Sequence, residues 1–94
     1  KLSSHRANLL LCTVYEGDLG RSDEFRNIID SSKTMVSAFN DIVYKTANKY
    51  GADVLELRDI FVRPEDYANP IEPSHIGGGK LAKAIMEWVK RNND

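Results

Sequence analysis

The stretch that decides the fold is residues 8–15, NLLLCTVY, in which residues 9–13 form a nearly unbroken apolar run. A short continuous run that ends in β-favouring residues is typical of a strand buried on both faces, as in a parallel sheet. A buried helical turn is the alternative, but the shortness of the run favours the strand. The sequence therefore predicts a strand over residues 9–14.

A helix and a second strand follow this strand. Residues 32–50 carry apolar side chains at three- and four-residue steps, and Gly51 follows as a helix stop. The stripe consists of Met35, Val36, Phe39, Ile42, Val43 and Ala47. Residues 52–57 read as the second strand. Strand, helix and strand in this order predict a βαβ unit with a right-handed crossover.

Three further segments complete the predicted order. Ser22, followed by two acidic residues, predicts the N-cap of a short helix over residues 23–29. Residues 63–79, RPEDYANPIEPSHIGGG, are rich in proline and glycine and predict a loop. A last helix is predicted over residues 79–91. The chain therefore reads β-α-β-α.

Composition excludes several classes of function. The 94 residues allow one domain, and 13 basic against 14 acidic side chains predict neither nucleic-acid binding nor an anionic membrane surface as partner. No apolar run approaches the roughly 18 residues of a transmembrane span, and the first residues, KLSSHRAN, do not resemble a secretory signal. The single cysteine, Cys12, excludes an internal disulfide, and its place in the apolar run predicts a buried small side chain.

Two parallel strands with two long helices do not make a self-sufficient sheet, because parallel strands are normally covered on both faces and flanked by neighbours. We therefore expect the chain to pack against another polypeptide, namely the N-terminal half of its own protein. On this interpretation residues 1–94 are the C-terminal part of a single domain.

One loop carries residues suited to acid–base chemistry and lies on the carboxyl side of a strand, where ligands bind in α/β sheets. Glu72 lies three residues before His75, and a carboxylate there could accept the imidazole Nδ1–H and leave Nε2 as a general base. A polar surface histidine is the plainer interpretation of the same pattern. The glycines at 77–79 predict close helix packing, with an anion cradle beside Lys80 as the alternative.

Four segments together resemble the C-terminal half of the SGNH/GDSL family of ester hydrolases. They are NLLLCTVYEG at 8–17, FND at 39–41, ANKYGADVLELRDIF at 47–61 and IEPSHIGGGKLAKAI at 71–85. The resemblance spans about residues 8–89, and it rests on the order and spacing of the segments. It implies a three-layer α/β/α fold with a parallel sheet, flavodoxin-like, of which this chain supplies the last two strands.

The resemblance also implies a function. His75 matches the family's catalytic base, and Glu72 occupies the position of the family's aspartate, so it departs from the pattern by one methylene. Asp66 is an alternative acid with unmatched spacing, and Ser74 lacks the context of a nucleophile. The family's nucleophilic serine lies in a Gly-Asp-Ser block that this sequence does not contain. The complete protein is then expected to hydrolyse a small ester without a cofactor or metal, and this chain alone is expected to be inactive.

Two other interpretations stay open. One is a non-catalytic α/β module in which the Glu72–His75 loop binds a ligand or is structural. The other is a phosphate-binding flavodoxin-like domain that uses the glycines at 77–79.

Minor expectations concern single residues. His5 is expected at the surface. Tyr15, Glu16 and Asp18 are expected in turns, with the lining of a substrate cleft as the alternative, and residues 63–67 are expected to shape the rim of the pocket.

Overall fold

The computed structural model of the protein describes residues 9–93, so the expectations for His5 and for the KLSSHRAN segment lie outside the described residues. The main elements are β1 (Leu10–Cys12), α1 (Ile29–Tyr50), β2 (Asp53–Leu55) and α2 (His75–Asn92). Short 3-10 helices occupy Leu19–Arg21, Asp23–Ile28, Leu57–Asp59 and Pro64–Asp66. The predicted β-α-β-α order is confirmed.

Strands β1 and β2 pair in parallel, with Leu10 opposite Asp53 and Cys12 opposite Leu55. The parallel pairing is confirmed, but both strands are shorter than predicted. The ladder extends one further bond beyond β1, from Thr13 N to the Leu55 carbonyl oxygen at 3.0 Å. Beyond this bond, the Thr13 hydroxyl donates to the Glu56 carboxylate at 2.8 Å. A hydrogen bond between side chains therefore follows the last backbone hydrogen bond where the two strands end.

Helix α1 ends as predicted, at Gly51, which adopts a left-handed conformation with φ of 69°. The helix begins earlier than predicted because Asp23–Ile28 forms a 3-10 helix that runs directly into it. The predicted N-cap is confirmed, since the Ser22 hydroxyl accepts a hydrogen bond from Glu24 N.

Helix α2 corrects the predicted loop boundary. The predicted loop reached residue 79, whereas the helix starts at His75 and includes all three glycines. Glycine is a poor helix former, but here the side chain of Ser74 caps the first turn and accepts from Gly77 N at 3.1 Å. The local cap and the packing of the first turn outweigh the low propensity.

The buried core is small. Its centre consists of Leu57, Phe61 and Tyr67, and Tyr15 packs edge-on against Phe61 with ring centroids 5.1 Å apart. The prediction that Cys12 is buried was wrong, because its face of β1 is left uncovered by the described residues. The described chain is thus an α/β arrangement on a two-stranded parallel sheet.

Candidate functional site

The start of α2 lies at the carboxyl end of the parallel strands. Near its other end, the Trp88 indole nitrogen donates to the Asp53 carboxylate at 2.6 Å, and Asp53 begins β2. The helix therefore runs back along the sheet from the carboxyl end to the amino end. His75, its first residue, lies at the edge of an α/β sheet where ligands usually bind.

Asp66 fixes the loop that precedes α2. Its side chain is fully buried, and its Oδ2 accepts hydrogen bonds from Val62 N at 3.0 Å and Arg63 N at 2.9 Å. Its Oδ1 lies 2.7 Å from Lys80 Nζ. The Lys80 ammonium holds the pKa of the Asp66 carboxyl below its usual range, with backbone donors adding to the effect and burial opposing it. Asp66, which the sequence analysis gave as an alternative acid, therefore has a structural role.

Gly77 allows α2 to approach this loop closely. A Cβ at Gly77 would collide with the Asp66 carbonyl oxygen, and that oxygen also accepts from Ser74 N at 2.8 Å. The expected packing role of the glycines is confirmed at Gly77, whereas Gly78 and Gly79 face open space.

His75 and Glu72 lie on adjacent elements but do not form the expected pair. Both side chains are exposed, and no hydrogen bond within the described chain joins them. Glu72 instead accepts from the side-chain amide of Asn69 at 2.8 Å. Asn69 Oδ1 accepts in turn from the backbone N–H groups of Ile71 and Glu72. The turn at residues 69–72 therefore directs the Glu72 carboxylate toward Asn69.

The ends of this turn are joined by backbone contacts. Tyr67 and Pro73 form an isolated antiparallel bridge, and Ala68 N donates to the Glu72 carbonyl oxygen at 2.8 Å. The turn is tied to the loop after β1 by a bond from Asp18 N to the Pro70 carbonyl oxygen at 2.9 Å. Glu72 thus projects from a small hairpin at the carboxyl end of the sheet.

A polar cluster that the sequence analysis missed lies where β2 ends. The Glu56 carboxylate pairs with Arg58 through two bonds of 2.7 Å and accepts from the hydroxyls of Thr13 and Tyr44. These donors, the Arg58 guanidinium first, lower the pKa of Glu56 to about 2 despite partial burial. The same carboxylate raises the pKa of Tyr44 by accepting its proton in a hydrogen bond.

Clefts open beside these loops. A charged cleft of about 410 Å³ is lined by Glu16, Asp18, Arg58 and Arg63, with Phe61, Pro64 and Tyr67 among its other walls. An apolar groove of about 400 Å³ is lined by Tyr15, Phe25, Val36 and Ile71 among others. Tyr15, Glu16 and Asp18 line these clefts, as the less favoured interpretation of their positions had it. Three residues of the 63–67 segment also line the charged cleft, but neither cleft is lined by His75 or Glu72.

Arg21 connects the walls of the charged cleft. Its guanidinium pairs with Asp18 and donates to the backbone carbonyl oxygens of Pro64 and Tyr67. One side chain thus joins the loop after β1 to the loop before α2. The only sequence signal for this link was a basic residue near Gly20, which is not specific.

Among residues 9–93, no three acidic, histidine or cysteine side chains gather as a metal site would require. No helix among the same residues combines the length and apolarity needed to span a membrane. In comparisons with known proteins, no family model, curated protein or solved structure matches the chain.

Proposed function

We propose that the chain is the histidine-bearing half of a serine ester hydrolase of the SGNH/GDSL type, built as a three-layer α/β/α domain. The observation that carries the proposal is the place of His75, which is exposed on the first turn of a helix that starts at the carboxyl end of two parallel strands. A general base must be accessible and held on a rigid element. The cap at Ser74 and the buried Asp66 provide that support.

In this proposal the nucleophilic serine comes from the N-terminal half of the same protein. Its hydroxyl oxygen attacks the ester carbonyl carbon while His75 Nε2 takes the hydroxyl proton. The imidazolium returns that proton to the leaving alcohol as the C–O bond breaks, and an acyl-enzyme remains. Water then attacks the acyl group with His75 again as base, which releases the acid and restores the serine.

The role of Glu72 requires its carboxylate and His75 to come within hydrogen-bonding distance. Oε1 accepts from the Asn69 amide, so the imidazole Nδ1–H must reach either Oε2 or an Oε1 that the amide has released. A hydrogen bond to a carboxylate contributes about 1.5–3 kcal/mol, and in this proposal the assembly of the two halves offsets that cost. We therefore assign Glu72 the role of orienting His75 only in the assembled protein.

The second candidate is a non-catalytic α/β module. The observation that favours it is the same bond from Asn69 to Glu72, which gives the carboxylate a partner other than His75. In this alternative the hairpin is a structural turn, and His75 is a surface residue.

A serine-directed fluorophosphonate probe distinguishes the two candidates. It is applied to the longest natural polypeptide that contains this chain. The hydrolase proposal predicts labelling of one serine outside residues 1–94 and a loss of at least about 100-fold in labelling rate for His75→Ala. His5→Ala, which changes the other histidine, is the matched control and should label normally. Absence of labelling, or equal labelling of the two variants, would favour the non-catalytic module.

A further inference from the structure

The charged cleft has the size of a small-molecule site and takes no part in the proposed hydrolysis. Its volume of about 410 Å³ lies within the range of clefts that hold small ligands. Neither His75 nor Glu72 lines it. Any ligand of this cleft is therefore recognised by residues that the proposed function leaves unused.

The walls of the charged cleft are fixed by contacts within the described chain. Arg21 pairs with Asp18, which belongs to the wall after β1. The same guanidinium donates to the backbone carbonyl oxygens of Pro64 and Tyr67, which belong to the wall before α2. A cleft whose walls are already joined loses little conformational freedom when a ligand binds.

Two guanidinium groups that line the cleft have unused hydrogen-bond donors. Arg58 directs Nε and Nη2 to the Glu56 carboxylate, and no hydrogen bond within residues 9–93 engages its Nη1. Arg63 is exposed, and its guanidinium forms no ion pair or hydrogen bond with another residue of that range. A guanidinium with free donors is well suited to bind a carboxylate or a phosphate. This part of the cleft therefore favours an anionic group.

An acidic residue restricts which anion the cleft accepts. Glu16 also lines the cleft, and its carboxylate has no hydrogen bond or ion pair within the described part of the chain. The Glu56 carboxylate raises the pKa of Arg58 by accepting its hydrogen bonds, burial opposes this rise, and the charge of Glu16 adds to it. Glu16 is thus close enough to Arg58 for its charge to act, yet the two form no ion pair, so a gap separates them.

The charges on both sides of this gap define the ligand. Glu16 and Asp18 would repel a doubly charged phosphate, whereas Glu16 would attract a positively charged group. A ligand that carries only an anion leaves the Glu16 carboxylate without a partner, and one that carries only a cation leaves the guanidinium donors unused. A molecule with both charges satisfies both sides.

We propose that the charged cleft binds a small zwitterion of the amino-acid class, whose carboxylate pairs with Arg58 and Arg63 and whose ammonium pairs with Glu16. An apolar side chain of the ligand packs on Val62 and Pro64, which line the cleft and are exposed. The site does not rest on the proposed hydrolase function, because none of these residues has a role in it.

Titration of the 94-residue chain with L-leucine and with its two singly charged analogues tests this proposal. The analogues are 4-methylpentanoate, which lacks the ammonium, and 3-methylbutylamine, which lacks the carboxylate. Backbone amide resonances measure binding: those of Arg58, Val62 and Tyr67 should shift, whereas those of Phe25 and Val36 in the apolar groove should not. Leucine should bind with a dissociation constant on the order of 1 mM, at least about 3-fold more tightly than either analogue.

Two single substitutions separate the contributions of the two charges. Arg63→Gln should weaken the binding of leucine and 4-methylpentanoate at least about 3-fold, and the binding of 3-methylbutylamine should not weaken. Glu16→Gln should weaken leucine and 3-methylbutylamine by a similar factor, and 4-methylpentanoate should not weaken. Arg26→Gln and Glu24→Gln remove exposed charges outside the cleft, so these control variants should bind leucine normally.

Several results would overturn the proposal. They are the absence of saturable shifts with leucine, equal binding of leucine and either analogue, shifts in the apolar groove instead of the charged cleft, and tighter binding of inorganic phosphate than of leucine. Equal weakening of leucine binding by Arg63→Gln and Arg26→Gln would do the same. The comparison of ligands on the unsubstituted chain decides between these outcomes even if a variant fails to fold.

Discussion

The isosteric substitution Asn40→Asp tests how α1 is locked to the end of β1. The Asn40 amide donates to the Val14 carbonyl oxygen at 2.9 Å and accepts from Val14 N at 2.7 Å. A carboxylate can keep the second bond but not the first. It places a negatively charged oxygen against the carbonyl oxygen at a position that is 1% exposed.

The expected loss of unfolding free energy at pH 7 is about 2–4 kcal/mol. The lost hydrogen bond contributes about 1 kcal/mol. The remainder comes from the buried charge, because each unit by which the folded protein raises the pKa of the introduced carboxyl corresponds to about 1.4 kcal/mol. An acid whose pKa is raised on folding destabilises the protein above that pKa. At a pH below about 3.9, the pKa of an aspartic acid in the unfolded chain, the loss of unfolding free energy from the charge disappears. The protonated acid can then donate to the Val14 carbonyl oxygen again.

Urea denaturation followed by circular dichroism at pH 7 and pH 3.5 measures this effect, with wild type compared at each pH. Asn48→Asp is the matched control, since Asn48 is exposed near the end of the same helix. There a carboxylate faces only the helix dipole and should cost about 0.5–1 kcal/mol. The reasoning is refuted if both variants lose equal stability at pH 7, or if the loss at Asn40 does not shrink at pH 3.5.

Three further predictions follow from other contacts. Because the pKa of Glu56 falls from 4.5 to about 2 on folding, the stability it contributes is present above pH 4.5 and lost as the pH falls through 2. Urea denaturation at a series of pH values should show that the unfolding free energy falls by at most about 3 kcal/mol over that range. The fall should disappear in Glu56→Gln and persist in the control variant Glu72→Gln. Gly77→Ala should lower the urea-derived stability by roughly 1–3 kcal/mol because of the collision with Asp66, whereas Gly78→Ala should raise it by roughly 0.5–1 kcal/mol; equal effects would contradict the packing. The exposed Cys12 thiol should react with Ellman's reagent in native buffer within a few-fold of its rate in urea, and strong protection would contradict its exposure.

The order of elements was predictable because local signals agree with the tertiary structure. The apolar run before Thr13, the helical stripe and the stop at Gly51 each correspond to an observed element. The start of α2 was not predictable from propensity, because three glycines oppose a helix there. Its first turn depends on the Ser74 cap and on the fit of Gly77 against a carbonyl oxygen from Asp66, which is distant in sequence.

The hydrogen bond expected between Glu72 and His75 does not form among the described residues, for a physical reason. The spacing of Glu72 and His75 permits a hydrogen bond between them. It does not exclude another donor that hydrogen-bonds to the same carboxylate. Asn69 competes through a turn in which its side chain also accepts two backbone N–H groups. Asn is a common turn residue for this reason, so an Asn three residues before the acid was the available signal.

The polar cluster around Glu56 was missed because its partners are far apart in sequence. Thr13 lies 43 residues before Glu56, and Tyr44 lies 12 residues before it. Only the parallel register of β1 and β2 brings the Thr13 hydroxyl beside the carboxylate. The interruption of an apolar strand by a single acid was visible in the sequence, but the number and position of its donors were not.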